Sequence, residues 1–405
     1  MASFDIICLS TQLWDDPLWT NKQHVMSRMA KKGHKVLYVD PQIRTRKFIK
    51  HLVTGKYSPQ RLVTGIETEI LNQVQDDRRV TNLIVYSPVK FRFDDKRDNE
   101  HTIKKINSLS SELKLNKPVL WVYDPEFAPL VKDIPHSLLV YDCVDDSANF
   151  PKGRYLQGRD WIRKQEEWLI KNADLVFTTS PALYESRKLL NPKTYYTPNV
   201  ADYEHNSKAM DESTIIPEDI RKIPHPIIGF QGALANYKID LKLLASIAIT
   251  HPKWSLVLIG PKAPVDPETD LSELKKSKNV HFLGTKKYEE LPAYYKAFDV
   301  AIIPSSLNEY TLYSFPLKFF EYLGAGKLIV STKLPSLKEY YNQGIASFAD
   351  SPAEFIKLIE NALVADPSRD LEKRLAIAKK NSWDLKVENL EKIVTSELKQ
   401  SKDLG

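Results

Sequence analysis

The sequence predicts an α/β protein built as two units, each a parallel β-sheet covered by helices. Three observations carry this reading. The chain has 405 residues, and a single hydrophobic core stops growing at roughly 250–300 residues. Short apolar runs alternate with amphipathic stretches, the pattern of parallel sheets with helices on both faces. That alternation pauses after Pro198, through a polar stretch at 201–224, and then restarts as though from a new N-terminus.

The elements follow in order. Phe4–Leu9 is an apolar run of strand length. Asn21–Lys31 places Val25, Met26, Met29 and Ala30 at helical spacing and stops at Gly33, a residue suited to the position after a helix. Val36–Val39 is the next strand, closed by Asp40 and Pro41. Leu83–Tyr86, Val119–Tyr123, Leu138–Tyr141 and Leu175–Thr178 are further strands, with a helix over Trp161–Asn172. After the pause, Ile227–Phe230, Trp254–Ile259, Val280–Leu283, Val300–Ile303 and Leu328–Ser331 read as strands. Helices fall on Asp240–Thr250, Glu289–Ala297, Pro316–Leu323 and Pro352–Ala365. From Arg369 onward the chain is helical with a break at Asn381–Trp383. The expected organisation is a first domain over 1–200, a linker over 201–225, a second domain over 226–380 and a closing helical segment over 381–405.

Composition removes several function classes. Thirteen glycines are about 3% of the chain, against a usual ~7%. The one G-x-G, Gly324 to Gly326, is followed by Ile329, so neither a dinucleotide fingerprint nor a P-loop is present. The nine histidines lack metal-ligand spacing and no D-x-D occurs. Nicotinamide oxidoreductases, P-loop NTPases and zinc hydrolases lose ground. Mean hydropathy is −0.37, and no apolar run approaches the ~18 residues of a membrane span. Phe4–Leu9 is too short for a signal-peptide core and has no Lys or Arg before it. Cys8 and Cys143, the only cysteines, lie in strand-like runs that suit reduced thiols in a cytoplasm.

The net charge of +6 is unevenly placed. Residues 31–61 hold nine Lys or Arg and one acid, Asp40. Such a block on a near-neutral body suits an anionic surface, and its plainer reading is a solvated loop. Nucleic-acid binding would need basic residues interleaved with exposed aromatics along one surface, and only this block qualifies.

In open parallel sheets, ligands sit beyond the carboxyl ends of the strands. The segment Phe315–Ser331 follows one such end. A helix starts at Pro316 after a hydroxyl-rich loop with Thr311, Tyr313 and Ser314, an arrangement that favours phosphate. Lys318 adds a cation there against the helix dipole, and an anionic ligand would relieve that mismatch. Glu321, three residues on, shares its face and can accept from ribose hydroxyls. An ordinary i,i+3 surface pair is the plain alternative.

This segment resembles the donor-site signature of GT-B glycosyltransferases of the family 4 superfamily, in particular the cell-wall polysaccharide, teichuronic-acid-type branch. The resemblance extends over most of the chain. It includes Trp14, Gln23, His24 and Lys32–Pro41, then Trp121–Pro125 and Val140–Asp146. In the second half it includes Gly229–Ala233, Trp254–Pro261, Val280–Gly284 and Phe298–Pro304. It implies two Rossmann-like domains facing a central cleft, the second holding a nucleotide-diphosphate sugar, with a UDP-sugar expected, and the first the acceptor. The last helix would cross back to the first domain. No metal and no further cofactor are expected, and cations would neutralise the leaving diphosphate instead.

By position, Glu321 matches the ribose-binding glutamate, and Gly284, Thr285 and Tyr288 match the loop beside the base. Lys238, after Gly232, matches the lysine of an Arg-plus-Lys diphosphate clamp, but Ala233 stands at the arginine position, leaving Lys318 as a substitute. The paired-glutamate motif E-x7-E has Tyr313 eight residues before Glu321, so Asn308 or Glu309 would act through a longer loop. For the base that takes the acceptor proton, Asp145, Asp146 and Asp124 close strand ends in the first half, with Asp142 beside them. Adjacent carboxylates repel, which can raise one pKa. Each is equally suited to capping a helix or turn. His24 reads as structural. Trp14, Trp19, Trp121, Trp161 and Trp168 default to core packing, with stacking on sugar rings as the alternative.

The resulting expectation is a cytoplasmic glycosyltransferase acting on a cell-surface polysaccharide or lipid-linked glycan. It would dock on an acidic membrane surface through residues 31–61 and bind no nucleic acid. The alternatives are an NDP-sugar 2-epimerase-like enzyme and a catalytically silent binding partner.

Overall fold

The computed structural model describes residues 3–16, 19–44, 66–68, 82–90, 95–150, 157–262, 266 and 269–403. Residues 45–61, most of the basic block, lie outside them. Among the described residues no helix is long and apolar enough to cross a membrane.

Two sheets form. The first runs Thr194–Tyr196, Leu175–Thr178, Leu138–Cys143, Val119–Val122, Ile6–Leu9, Val36–Val39, Leu83–Tyr86 and Ile66–Thr68. All neighbours are parallel except the edge strand Ile66–Thr68, which pairs antiparallel with Leu83–Tyr86. The second runs Val280–Gly284, Ser255–Ile259, Ile227–Gln231, Val300–Ile303, Leu328–Thr332 and Ser347–Ala349, all parallel. In the first sheet Ile6–Leu9 lies between Val36–Val39 and Val119–Val122, and in the second Ile227–Gln231 lies between Ser255–Ile259 and Val300–Ile303. Chain direction across the sheet reverses at that point, which leaves a crevice beyond the strand ends. The central strands are buried on both faces, so they read as unbroken apolar runs such as Ile6–Leu9 and Ser255–Ile259.

Each sheet has a core on either face. The polar stretch 201–224, expected as a linker, folds into short helices at Tyr203–Ser207 and Glu218–Arg221. Ala209, Ile220 and Ile223 from this stretch join the second domain's core. Its few apolar residues are too widely spaced to give a periodic signal, so its polarity dominates the sequence.

The chain crosses between the domains at two neighbouring points. Val200 belongs to a first-domain core and Ala201 to a second-domain core. The Ala201 N–H donates to the Asn381 carbonyl at 3.2 Å, where the return crossing begins. The last helix, Trp383–Asp403, then lays Trp383, Val387, Leu390 and Val394 into the first-domain core. Their spacing of four, three and four residues is one helix face.

Candidate active site

The second domain's strand ends are tied to one another. The Gly232 N–H donates to the Ile259 carbonyl and the Gly260 N–H to the Gly284 carbonyl, both at 2.9 Å. Gly260 has φ +138°, and a Cβ there would lie 2.0 Å from the Gly232 oxygen. Only glycine admits this approach. The loop after Ile227–Gln231 is tied to the loop after Val300–Ile303. Asn308 Nδ2 donates to the Tyr237 carbonyl at 2.9 Å, and the Ser306 N–H to the Lys238 carbonyl at 3.1 Å. The Lys238 ammonium lies 5.5 Å from the Tyr237 ring centre and 5.7 Å from that of Tyr310.

Lys318 and Glu321 open the short helix Lys318–Gly324. Lys318 Nζ stands 2.9 Å and 3.1 Å from the two Glu321 oxygens. The buried Tyr295 hydroxyl donates to Glu321 Oε2 at 2.9 Å and lies 3.2 Å from Gln231 Oε1. Burial first, and then the Glu321 charge, push the Tyr295 phenol well above its usual pKa. It therefore remains a donor that fixes the carboxylate. Gln231 is fixed in turn, its N–H donating to the Tyr322 hydroxyl at 2.9 Å. Sequence reading found Lys318 and Glu321 by local spacing but missed Tyr295 and Tyr322. Tyr295 reaches Glu321 across 26 residues, and no local pattern marks it.

The other expected donor residues fare differently. Asn308 and Thr311 form a reciprocal cap on the turn Glu309–Leu312. The Thr311 N–H donates to Asn308 Oδ1 and the Asn308 N–H to Thr311 Oγ1, each at 3.0 Å. These groups hold the loop's own shape. Ser314 Oγ donates to the Thr311 carbonyl at 3.3 Å, and Glu309 is exposed. Gly284 and Thr285 are exposed at the end of their strand. The Tyr288 ring stacks on His205 at 4.0 Å, and its carbonyl lies 2.9 Å from His205 Nε2. That ring packs against the second core rather than standing open.

In the first domain the structure separates the aspartates. Asp124 caps the 3-10 helix Pro125–Asp133, its Oδ1 accepting from the Glu126 N–H at 2.9 Å. Buried Asp146 accepts from Asn149 Nδ2 at 2.9 Å and faces Arg187 at 3.7 Å. Asp142 is fully buried and accepts from Trp121 Nε1 at 3.2 Å, and burial raises its pKa. Asp145 alone of the four is partly exposed. Its Oδ1 accepts from the Tyr310 hydroxyl at 3.3 Å, a contact from one domain to the other. Adjacent in sequence, Asp145 and Asp146 engage different partners.

His24 is buried, stacked on Trp383 at 4.7 Å, and held below its usual pKa by burial and by Arg28. It packs as the sequence implied. Trp14 and Trp121 are core residues. Of the basic block's described lysines, Lys32 pairs with Glu391 at 2.9 Å, and Lys35 donates to the Leu113 carbonyl at 3.3 Å.

Two Rossmann-like sheets, one followed by a clasped lysine–glutamate pair and the other by Asp145, whose carboxylate reaches Tyr310 of the second domain, form a GT-B architecture. Residues 225–365 match the family model described as glycosyl transferases group 1. Over 279 residues the chain is 29% identical to TuaH of Bacillus subtilis (strain 168), described as a teichuronic acid biosynthesis glycosyltransferase. That match covers 65% of this chain and 68% of TuaH. The fold is similar to sucrose-phosphate synthase of Thermosynechococcus elongatus (TM-score 0.69, 14% identity, 97% and 98% of the two chains covered). It is also similar to Anabaena Alr3699/HepE, solved with UDP and glucose (TM-score 0.65, 15% identity, 96% and 99% covered). Residues 225–365 are thus similar to the glycosyl transferases of group 1, and the whole chain shares the two-sheet GT-B fold of the solved structures.

Proposed function

We propose that this enzyme moves a sugar from a UDP-sugar to a cell-surface polysaccharide or lipid-linked glycan, on the cytoplasmic side and without a metal ion. The observation that carries the reading is the Lys318–Glu321 pair clasped by Tyr295 inside the matched glycosyltransferase domain. Glu321 accepts from ribose hydroxyls. Lys318 and Lys238 supply the positive charge that the departing diphosphate needs. Asp145 accepts a hydrogen bond from the acceptor hydroxyl and, in an inverting reaction, takes its proton. The acceptor oxygen then bonds to the anomeric carbon as the bond from that carbon to the phosphate oxygen breaks. The UDP complex of the Anabaena protein supports the choice of nucleotide.

A melting experiment with UDP, GDP, ADP, CDP and dTDP, in chelator and without added metal, tests this. A ligand at a hundredfold excess over its Kd stabilises the folded state by about 2.7 kcal/mol. UDP is expected to raise the melting temperature and the Glu321→Ala variant to lose that rise. A response to another nucleotide alone, or an equal response in the variant, defeats the donor assignment.

The basic block is proposed to dock the enzyme on anionic lipid, where a lipid-linked acceptor lies. Sedimentation with acidic liposomes at low salt is expected, and replacing Arg44, Arg46 and Lys47 by Gln should release the protein. No sedimentation of the parent protein rules the attachment out.

A further inference from the structure

The loop leading into the Lys318–Gly324 helix is held largely from the opposite domain. Tyr313 and Leu317 pack against the two first-domain cores, while Phe315 between them is buried in the second-domain core. Two backbone carbonyls of this loop accept hydrogen bonds from first-domain side chains. Ser180 Oγ donates to the Tyr313 carbonyl at 2.7 Å, and Asn199 Nδ2 donates to the Phe315 carbonyl at 3.0 Å. Both donors are buried.

Each donor is itself fixed. Ser180 caps the helix Pro181–Lys188, its Oγ accepting from the Leu183 N–H at 3.3 Å. Asn199 Oδ1 accepts from Asn21 Nδ2 at 2.7 Å, at the start of the first helix. The residue before Ser180, Thr179, donates through its hydroxyl to the Val144 carbonyl at 2.5 Å, one residue before Asp145. Adjacent hydroxyls on one turn thus hold the loop that carries Asp145 and the loop that leads to Lys318 and Glu321. A buried carbonyl that loses its donor pays a desolvation penalty, so these contacts define one loop position rather than merely fill space.

We propose that Ser180 and Asn199 are positioning residues. They set Lys318 and Glu321 against the first-domain loop that carries Asp145, and so hold the donor nucleotide in register with the acceptor. The inference rests on the donor reading of Lys318 and Glu321. Neither residue is assigned a contact with the reacting atoms.

The test uses the full chain with Ser180→Ala, Asn199→Ala, the double variant and Ser180→Thr, which keeps a hydroxyl. Two quantities are read: the radius of gyration by small-angle scattering, and UDP affinity by calorimetry. The alanine variants are expected to open the domains, increasing the radius most in the double variant. UDP affinity should fall roughly three- to tenfold for each hydrogen bond removed. Ser180→Thr should recover most of the loss at Ser180, and because threonine restores the helix cap as well, Asn199→Ala, which leaves that cap untouched, separates positioning from a local structural defect. Alanine variants that melt cooperatively and keep both the parent radius and the parent UDP affinity overturn the proposal. Asn199→Ala leaves the helix cap intact and decides the matter if Ser180→Ala fails to fold. If the parent protein does not bind UDP, the donor reading fails separately. The scattering result then decides alone, an unchanged radius overturning the positioning role and a larger one sustaining it.

Discussion

Asp145→Asn is expected to lower the transfer rate about 10²- to 10⁴-fold, the usual contribution of a positioned general base, while leaving the melting response to UDP unchanged. The physical basis is selective exposure. Asp124 and Asp146 are engaged as caps and with Arg187, and Asp142 is buried under Trp121. Asp145 meets the second domain through Tyr310 and is the one of the four that remains partly open. Asparagine keeps the size and can still accept from Tyr310, so the fold should survive. It cannot take a proton. A rate within tenfold of the parent removes Asp145 from proton transfer. A comparable loss of UDP response would show that the substitution disturbs the donor site through Tyr310 instead. Asp146→Asn serves as the comparison, since Asp146 faces Arg187 and Asn149, and its effect should fall mainly on stability.

The second large effect is on stability against pH. Lys386, on the returning helix, is buried and donates to the Thr197 and Pro198 carbonyls at 2.9 Å and 3.0 Å. Burial lowers its pKa from 10.5 to about 8, with Asp142 opposing that shift and Lys22 adding to it. The unfolded chain keeps this proton up to about pH 10.5 while the folded chain releases it near pH 8. Between those values the unfolded state binds more protons, so stability rises with pH. Below pH 8 both states are charged and the cost of burying the ammonium is fully present. From pH 8 to 10 the gain from this lysine alone is about 2–3 kcal/mol. Lys327, half-buried, is also lowered to about 8, so it contributes in the same direction. Subtracting the urea stability of Lys386→Met at each pH isolates Lys386. The parent should gain on the variant across that window. Parallel pH profiles would mean that Lys386 does not titrate there, and so that water or Asp142 solvates the ammonium.

Recognition of the fold from sequence succeeded where the signal is local. Central strands buried on both faces appear as apolar runs, and helices appear as periodic faces. The break at Asn381–Trp383 shows as a polar interruption between two amphipathic stretches. Short edge strands did not show. Thr194–Tyr196 and Ile66–Thr68 have three residues each, too few for any period. Their existence depends on neighbours already in the sheet.

The candidate site divides in the same way. Lys318 and Glu321 lie one helical turn apart, so their pairing is written in their spacing. That Tyr295 clasps Glu321, that Asp145 rather than Asp146 is partly exposed and meets Tyr310, and that Asn308 and Thr311 cap a turn depend on loop geometry. The contacts that join the domains, Ser180 to Tyr313 and Asn199 to Phe315, span 133 and 116 residues. Sequence alone therefore determined two α/β units and the lysine–glutamate pair, because each follows from apolar periodicity or from neighbours within one turn, while the return of the last helix was implied by the family resemblance. Only the tertiary structure decided which carboxylate is open and which side chains hold the donor loop, because strand order and domain packing bring together groups that no local pattern relates.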